Sequence, residues 1–146
     1  MPKFHITAKI PSPPEKLITM ATQFKKMPEF FQYLKNIEVL EQKENEFKTE
    51  ETIEFTYHKL NHTIAQQTIT RKIGDDKLEA DIISGPLRGS HIINIYEKTD
   101  NGSKVTIDAD LKISLKYKFL SPIITKRIKM ATIAVLYKMH TEITNS

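Results

Sequence analysis

"GSKVTIDADLKISLKYKFLSPIITKRIKMATIAVLYKMHTEI", residues 102–143, decides the fold. Its first half repeats with period two. Val105, Ile107, Ala109, Leu111, Ile113 and Leu115 fall on one face, and Lys104, Thr106, Asp108, Asp110, Lys112, Ser114 and Lys116 on the other. That alternation describes a strand with one buried side. Ser121-Pro122 then supplies a capping residue followed by a proline at the first helical position. Beyond it the period lengthens: Ile124, Ile128, Ala131, Val135 and Met139 form one helical stripe across residues 122–143. A half-buried strand running into a long amphipathic helix predicts a sheet whose apolar face is covered by that helix.

Upstream, residues 36–101 show the same period and no helical one. "NIEVLEQ", "EFKTEETIEFTY", "NHTIAQQTITRKI", "KLEADII" and "GSHIINIYEK" read as strands. Glu44-Asn45, Gly74-Asp75-Asp76, Gly85-Pro86 and Asp100-Asn101-Gly102 supply turns between them. Short links between consecutive strands predict an antiparallel meander, apolar on its concave side and charged outside. At the other end of the chain, "KFHITAKI" alternates Phe4, Ile6, Ala8 and Ile10 against polar residues and reads as a further strand. Ser12-Pro13-Pro14-Glu15 predicts a helix start, with Ser12 as cap, Pro13 at the first helical position and Glu15 placed for a capping box. Leu17, Ile18, Ala21 and Phe24 give its apolar stripe, and "PEFFQYL" reads as a second short helix presenting Phe30, Phe31 and Leu34.

Pro13-Pro14-Glu15-Lys16, Pro28-Glu29-Phe30-Phe31 and Ile37-Glu38-Val39-Leu40-Glu41 resemble, in order and spacing, the pattern of the START-like superfamily of polyketide cyclases and coenzyme-Q-binding proteins, also called SRPBCC. The remaining strands and the terminal helix match in kind, so the resemblance spans essentially the whole chain. It implies an α+β helix-grip fold: a seven-stranded curved antiparallel sheet, two short N-terminal helices and one long C-terminal helix, enclosing a lipophilic cavity. The glycine-rich loop of the plant pathogenesis-related branch is absent, since "EQKENEF" stands in its place. That branch's loop functions are therefore not expected here.

Composition is compatible with this reading. At 146 residues the chain predicts a single domain, residues 1–146, with a core that needs no covalent staple. Without cysteine there is no disulfide, thiolate ligand or thiol nucleophile. The N-terminal "MPKFHITAKIPSPPEK" lacks the apolar core of a signal peptide, and no run reaches the ~20 apolar residues of a membrane span. A cytoplasmic location is the expectation. The net charge of +4 conceals a segregation: residues 37–54 carry seven glutamates against Lys43 and Lys48, whereas residues 111–141 carry seven basic residues and no acid. Met130, Ile133 and Tyr137 make a second apolar strip on the terminal helix, bordered by Lys126, Lys129 and His140. That layout suits an anionic membrane surface, or a partner subunit. A basic patch without surface aromatics interleaved is a poor platform for nucleic acid, which is not expected as a partner.

No phosphate loop, dinucleotide fingerprint, nucleophile elbow or metalloprotease signature occurs. The five histidines are scattered, and His58 and His62 fall in a strand–turn–strand region, so neither a metal nor a cofactor is expected. Alternation places Thr49, Glu51 and Tyr57 with Phe47, Ile53 and Phe55, and His91 with Ile93 and Ile95 if the Asp100-Asn101-Gly102 turn sets that register. A glutamate facing an apolar cavity is costly unless hydrogen-bonded, and its pKa should rise. The predicted ligand-binding set is thus Phe31, Phe47, Glu51, Phe55, Tyr57, His91, Ile93, Ile95, Ile124, Ile128, Ala131 and Val135. Three functions follow: a carrier or binding protein for a hydrophobic small molecule (a lipid, isoprenoid, quinone or polycyclic compound), a cyclase- or dehydratase-type enzyme using Glu51 with Tyr57 or His91, or a membrane-surface or partner-docking module acting through the basic C-terminal helix. Oligomeric state is left open.

Overall fold

The computed structural model describes residues 2–145. Strand β1 (Lys3–Ile10) leads into α1 (Pro14–Ala21), a 3₁₀ turn (Phe24–Lys26) and α2 (Met27–Phe30). Six strands follow: β2 (Leu34–Lys43), β3 (Glu46–Tyr57), β4 (Leu60–Ile73), β5 (Lys77–Ile82), β6 (His91–Thr99) and β7 (Gly102–Asp110). A second 3₁₀ segment (Leu115–Leu120) joins them to α3 (Ser121–Asn145). The seven strands form one sheet in the order β1-β7-β6-β5-β4-β3-β2. Every neighbouring pair is antiparallel. From β2 to β7 the chain meanders, and α1 and α2 carry it from one edge strand to the other.

The core is not spread evenly under α3. Alternate residues of β1 (Phe4, Ile6, Ala8, Ile10) and β7 (Val105, Ile107, Ala109) pack with Leu17 and Ile18 of α1 and with Val135, Leu136 and Met139 of α3. This apolar mass lies at the β1–β7–β6 end, against the C-terminal half of the helix. Ser12 ties the same region together. Ser103 Oγ donates to the Ser12 carbonyl at 2.6 Å, and the Ser12 hydroxyl meets His140 Nδ1 at 2.6 Å. Gly102 backs onto this joint: a Cβ there would lie 2.3 Å from the Ile10 carbonyl oxygen and 2.7 Å from the Pro11 Cα.

Several local expectations are corrected. Ser12 does not cap α1; Pro13 flanks the helix without a side-chain cap, because the Ser12 hydroxyl is taken by His140. The second helix covers only Met27–Phe30, and Leu34 already begins β2. Strand β7 stops at Asp110, so Leu115 opens a 3₁₀ turn and is 88% exposed instead of facing inward. The outer strip of α3 is interrupted: Met130 and Tyr137 are exposed, but Ile133 packs partly on the core and His140 turns to Ser12.

Candidate functional site

Where the core ends, a cavity begins. It occupies about 300 Å³ between β2–β5 and the N-terminal half of α3, with the α1–β2 connection closing one side. Strand β3 runs from Glu46 to Tyr57 in unbroken register with β4, so Thr49, Glu51, Ile53, Phe55 and Tyr57 all reach the cavity. From β4 come Ile64, Gln66, Thr68 and Thr70; from β5, Ala80 and Ile82; from β6, Ile92. Ile123, Ile124, Arg127, Ile128 and Thr132 supply the helical wall, and Phe31, Leu34 and Ile37 the side. Tyr117 of the 3₁₀ segment stands at the end of the β3–β4 hairpin, its ring 6.5 Å from Phe55 and 6.1 Å from His62. Arg127 Nη1 donates to the Thr56 carbonyl at 2.9 Å and ties α3 to that hairpin.

The lining is almost wholly apolar apart from one patch on the sheet. Thr49 pairs across the strands with Thr68, and Glu51 with Gln66, so four polar side chains form a square on the cavity floor. Thr68 Oγ1 donates to Glu51 Oε1 at 2.5 Å and Thr49 Oγ1 to Glu51 Oε2 at 3.3 Å. Burial raises the Glu51 pKa to about 6; hydrogen bonds from Thr68, Gln66 and Thr49 oppose that shift, and nearby Glu50 adds to it slightly. Glu51 is therefore a carboxylate that changes charge close to neutral pH. Gln66 Oε1 is buried without a hydrogen-bond partner.

Of the residues expected at the site, the cavity brings together Phe31, Glu51, Phe55, Tyr57, Ile124 and Ile128. Six lie elsewhere. Phe47 shares the face of Glu51 but sits beyond the cavity, its ring 5.1 Å from Phe24. His91, Ile93 and Ile95 are on the opposite face of the sheet. The Asp100-Asn101 loop pairs Thr99 with Gly102, which sets Ile92 opposite Ala109 and Asn94 opposite Ile107. The even positions of β6 therefore face inward. His91 instead joins an outer ionic cluster, with Nδ1 2.7 Å from Asp81 and Nε2 3.4 Å from Glu79. The Asp81 carboxyl is held below its ordinary range, first by His91 and then by Arg71. Ala131 and Val135 are buried core residues, because the helix has closed onto the packed end of the sheet by that point. Gln66, Thr68, Ile92, Ile123 and Arg127 belong to the cavity and were not anticipated from sequence. Among the described residues no group of histidine, aspartate and glutamate side chains is arranged to hold a metal ion.

No protein-family model matches the chain, and no curated protein does. Solved structures do. A protein from Thermus thermophilus superposes with a TM-score of 0.83 at 10% identity, covering 99% of this chain and 98% of that one. The aromatase/cyclase Zhui from a Streptomyces species superposes with a TM-score of 0.79 at 9% identity, over 97% and 95% of the two chains. A START superfamily protein from Mycobacterium smegmatis gives 0.70 at 11% identity, over 89% and 93%. At such identities the likeness speaks for the backbone alone. With its seven antiparallel strands, two short helices and long terminal helix, this chain has the START-like helix-grip fold.

Proposed function

We propose that this protein binds and carries a hydrophobic small molecule in the cavity between β2–β5 and α3. One observation carries the reading: an apolar-lined space of about 300 Å³ lies beside a buried apolar core. Burying a ligand there gains roughly 25 cal/mol per Å² of apolar surface removed from water. Lipids, isoprenoids, quinones and polycyclic compounds share the required chemistry. A cytoplasmic setting and exchange of cargo at an anionic membrane surface belong to the same proposal. Native mass spectrometry of the purified protein tests it, together with titration of an apolar fluorescent probe. A co-purifying apolar molecule, or saturable probe binding weakened at least tenfold by the cavity-filling Ile53→Trp, is expected. A folded protein that neither carries an apolar molecule nor binds the probe overturns it.

A second reading, an enzyme of the cyclase or dehydratase kind, is favoured by Glu51, whose pKa of about 6 suits proton transfer near neutrality. Tyr57 lines the same cavity and stays in this reading, whereas His91, on the outer face, leaves it. Its signature is turnover of a bound carbonyl compound that disappears in Glu51→Gln while binding persists.

A further inference from the structure

The polar square on the cavity floor is one-sided in its chemistry. Thr68 Oγ1 donates its one hydroxyl hydrogen to Glu51, and Thr49 Oγ1 shares its own between Glu51 Oε2 at 3.3 Å and the Thr68 carbonyl at 3.5 Å. The Gln66 amide also hydrogen-bonds the carboxylate. Two oxygens cannot make that bond, so the amide presents its Nε2 to Glu51 and its Oε1 elsewhere. That Oε1 is buried and unpartnered on a residue only 7% exposed, in the wall of the cavity. What remains on this patch is mostly hydrogen-bond acceptors: the Gln66 oxygen, two threonine oxygens and a carboxylate, against the second N–H of the Gln66 amide. An acceptor stripped of water and left without a partner is costly, and a matching donor on a bound molecule removes that cost. Of the other polar groups of the lining, Arg127 gives one N–H to the Thr56 carbonyl, Thr132 donates to the Ile128 carbonyl, and Tyr57 and Tyr117 stand toward the hairpin end.

We infer that the Thr49–Glu51–Gln66–Thr68 square is a recognition site for a hydrogen-bond donor, so that the ligand is an apolar body bearing a hydroxyl or protonated amine. The inference rests on the proposal that the cavity holds an apolar ligand, and sharpens it. Quinones, ketones and plain hydrocarbons, which offer only acceptors or nothing to this patch, are disfavoured cargo. Free carboxylic acids are disfavoured as well, since their anion would face Glu51.

Three probes of one shape decide the matter: 2-naphthol, 2-methoxynaphthalene and naphthalene, titrated by fluorescence or calorimetry at pH 7.5. We expect 2-naphthol to bind about tenfold more tightly than its methyl ether, a preference that falls to less than threefold in the near-isosteric Gln66→Met. A circular dichroism spectrum and melting midpoint like those of the wild-type protein show that this variant is folded. 2-Naphthylmethylamine distinguishes the two donor sources: a gain over 2-naphthol that grows as Glu51 ionises marks an ammonium site, and its absence marks a hydroxyl site. Equal affinity for 2-naphthol and its ether in the wild-type protein overturns the donor site while leaving the apolar cavity standing. Binding of none of the probes overturns the cavity reading and this inference with it.

Discussion

Glu51 is the residue at which folding and the proposed function conflict. Its carboxylate sits among apolar side chains, and the bonds from Thr68, Gln66 and Thr49 compensate only part of the lost hydration, so its pKa stands near 6 instead of 4.5. The folded state therefore holds the proton more tightly than the unfolded chain. The stability this contributes is complete below pH 4.5 and is lost as pH rises through about 6. The shift corresponds to about 2 kcal/mol across that window. Glu51→Gln keeps an acceptor for Thr68 and abolishes the titration. Its urea stability should therefore exceed the wild-type value by up to about 2 kcal/mol at pH 7.5, and match it closely at pH 4.5. Parallel stability curves for the two proteins between pH 4.5 and 7.5 would sink the assignment. The inward placement of Glu51 was legible in the sequence, because β3 alternates without a break. Its partners were not. In "NHTIAQQTITRKI" both faces mix polar and apolar residues, so Gln66 and Thr68 give no sign of which way they point.

At the scale of elements, what the sequence hid was pairing, and the cause lies in the turns. The β3–β4 hairpin closes through His58 and Lys59, both with positive φ (51° and 65°), where Asn-Gly would have advertised a two-residue loop. The β6–β7 loop spans two residues instead of three, and one residue of difference sends His91, Ile93 and Ile95 to the outer face. The stripe of α3 was legible as a stripe. It could not reveal that Ile124 and Ile128 face a cavity while Ala131 and Val135 face core, because that depends on where the helix meets β1. The joint at that meeting point is closely built. Gly102 touches the backbone of Ile10 and Pro11, Ser103 bonds Ser12, and Ser12 bonds His140. Gly102→Ala places a methyl group against backbone that has nowhere to move. It is expected to destabilise the protein by well over 1 kcal/mol, lowering the melting midpoint by several degrees. The matched control is Gly74→Ala, whose Cβ meets nothing closer than 3.7 Å. Equal melting temperatures for the two variants would show that the joint is loose.

The whole molecule is polarised. Its packed end holds α1, β1, β7 and the C-terminal half of α3, and its other end holds the cavity. At that second end the exterior is unusual as well. Leu115 and Phe119 are 88% and 75% exposed on the 3₁₀ segment, and Leu60 is 64% exposed on the hairpin that Tyr117 packs against. Lys59, Lys116 and Lys118 stand among them, with no acidic residue between positions 111 and 141. Apolar side chains presented within a basic surface suit an anionic bilayer: the lysines would bring the protein to the surface at about 1 kcal/mol each, and the apolar groups would enter the headgroup boundary. This patch fits that role better than the outer strip of α3, where Ile133 and His140 are turned away. Because the patch adjoins the cavity walls formed by Tyr57, Tyr117 and Arg127, docking there would let apolar cargo pass to or from the bilayer with little exposure to water. Co-sedimentation with vesicles containing phosphatidylserine should show binding at low salt that weakens as salt rises, and little binding to phosphatidylcholine alone. Leu115→Ser with Phe119→Ser should reduce it at least fivefold, whereas Met130→Ser with Tyr137→Ser should leave it nearly intact. The opposite ranking would return the contact to the helix strip, and equal, negligible binding to both kinds of vesicle would leave this end of the molecule with no membrane role.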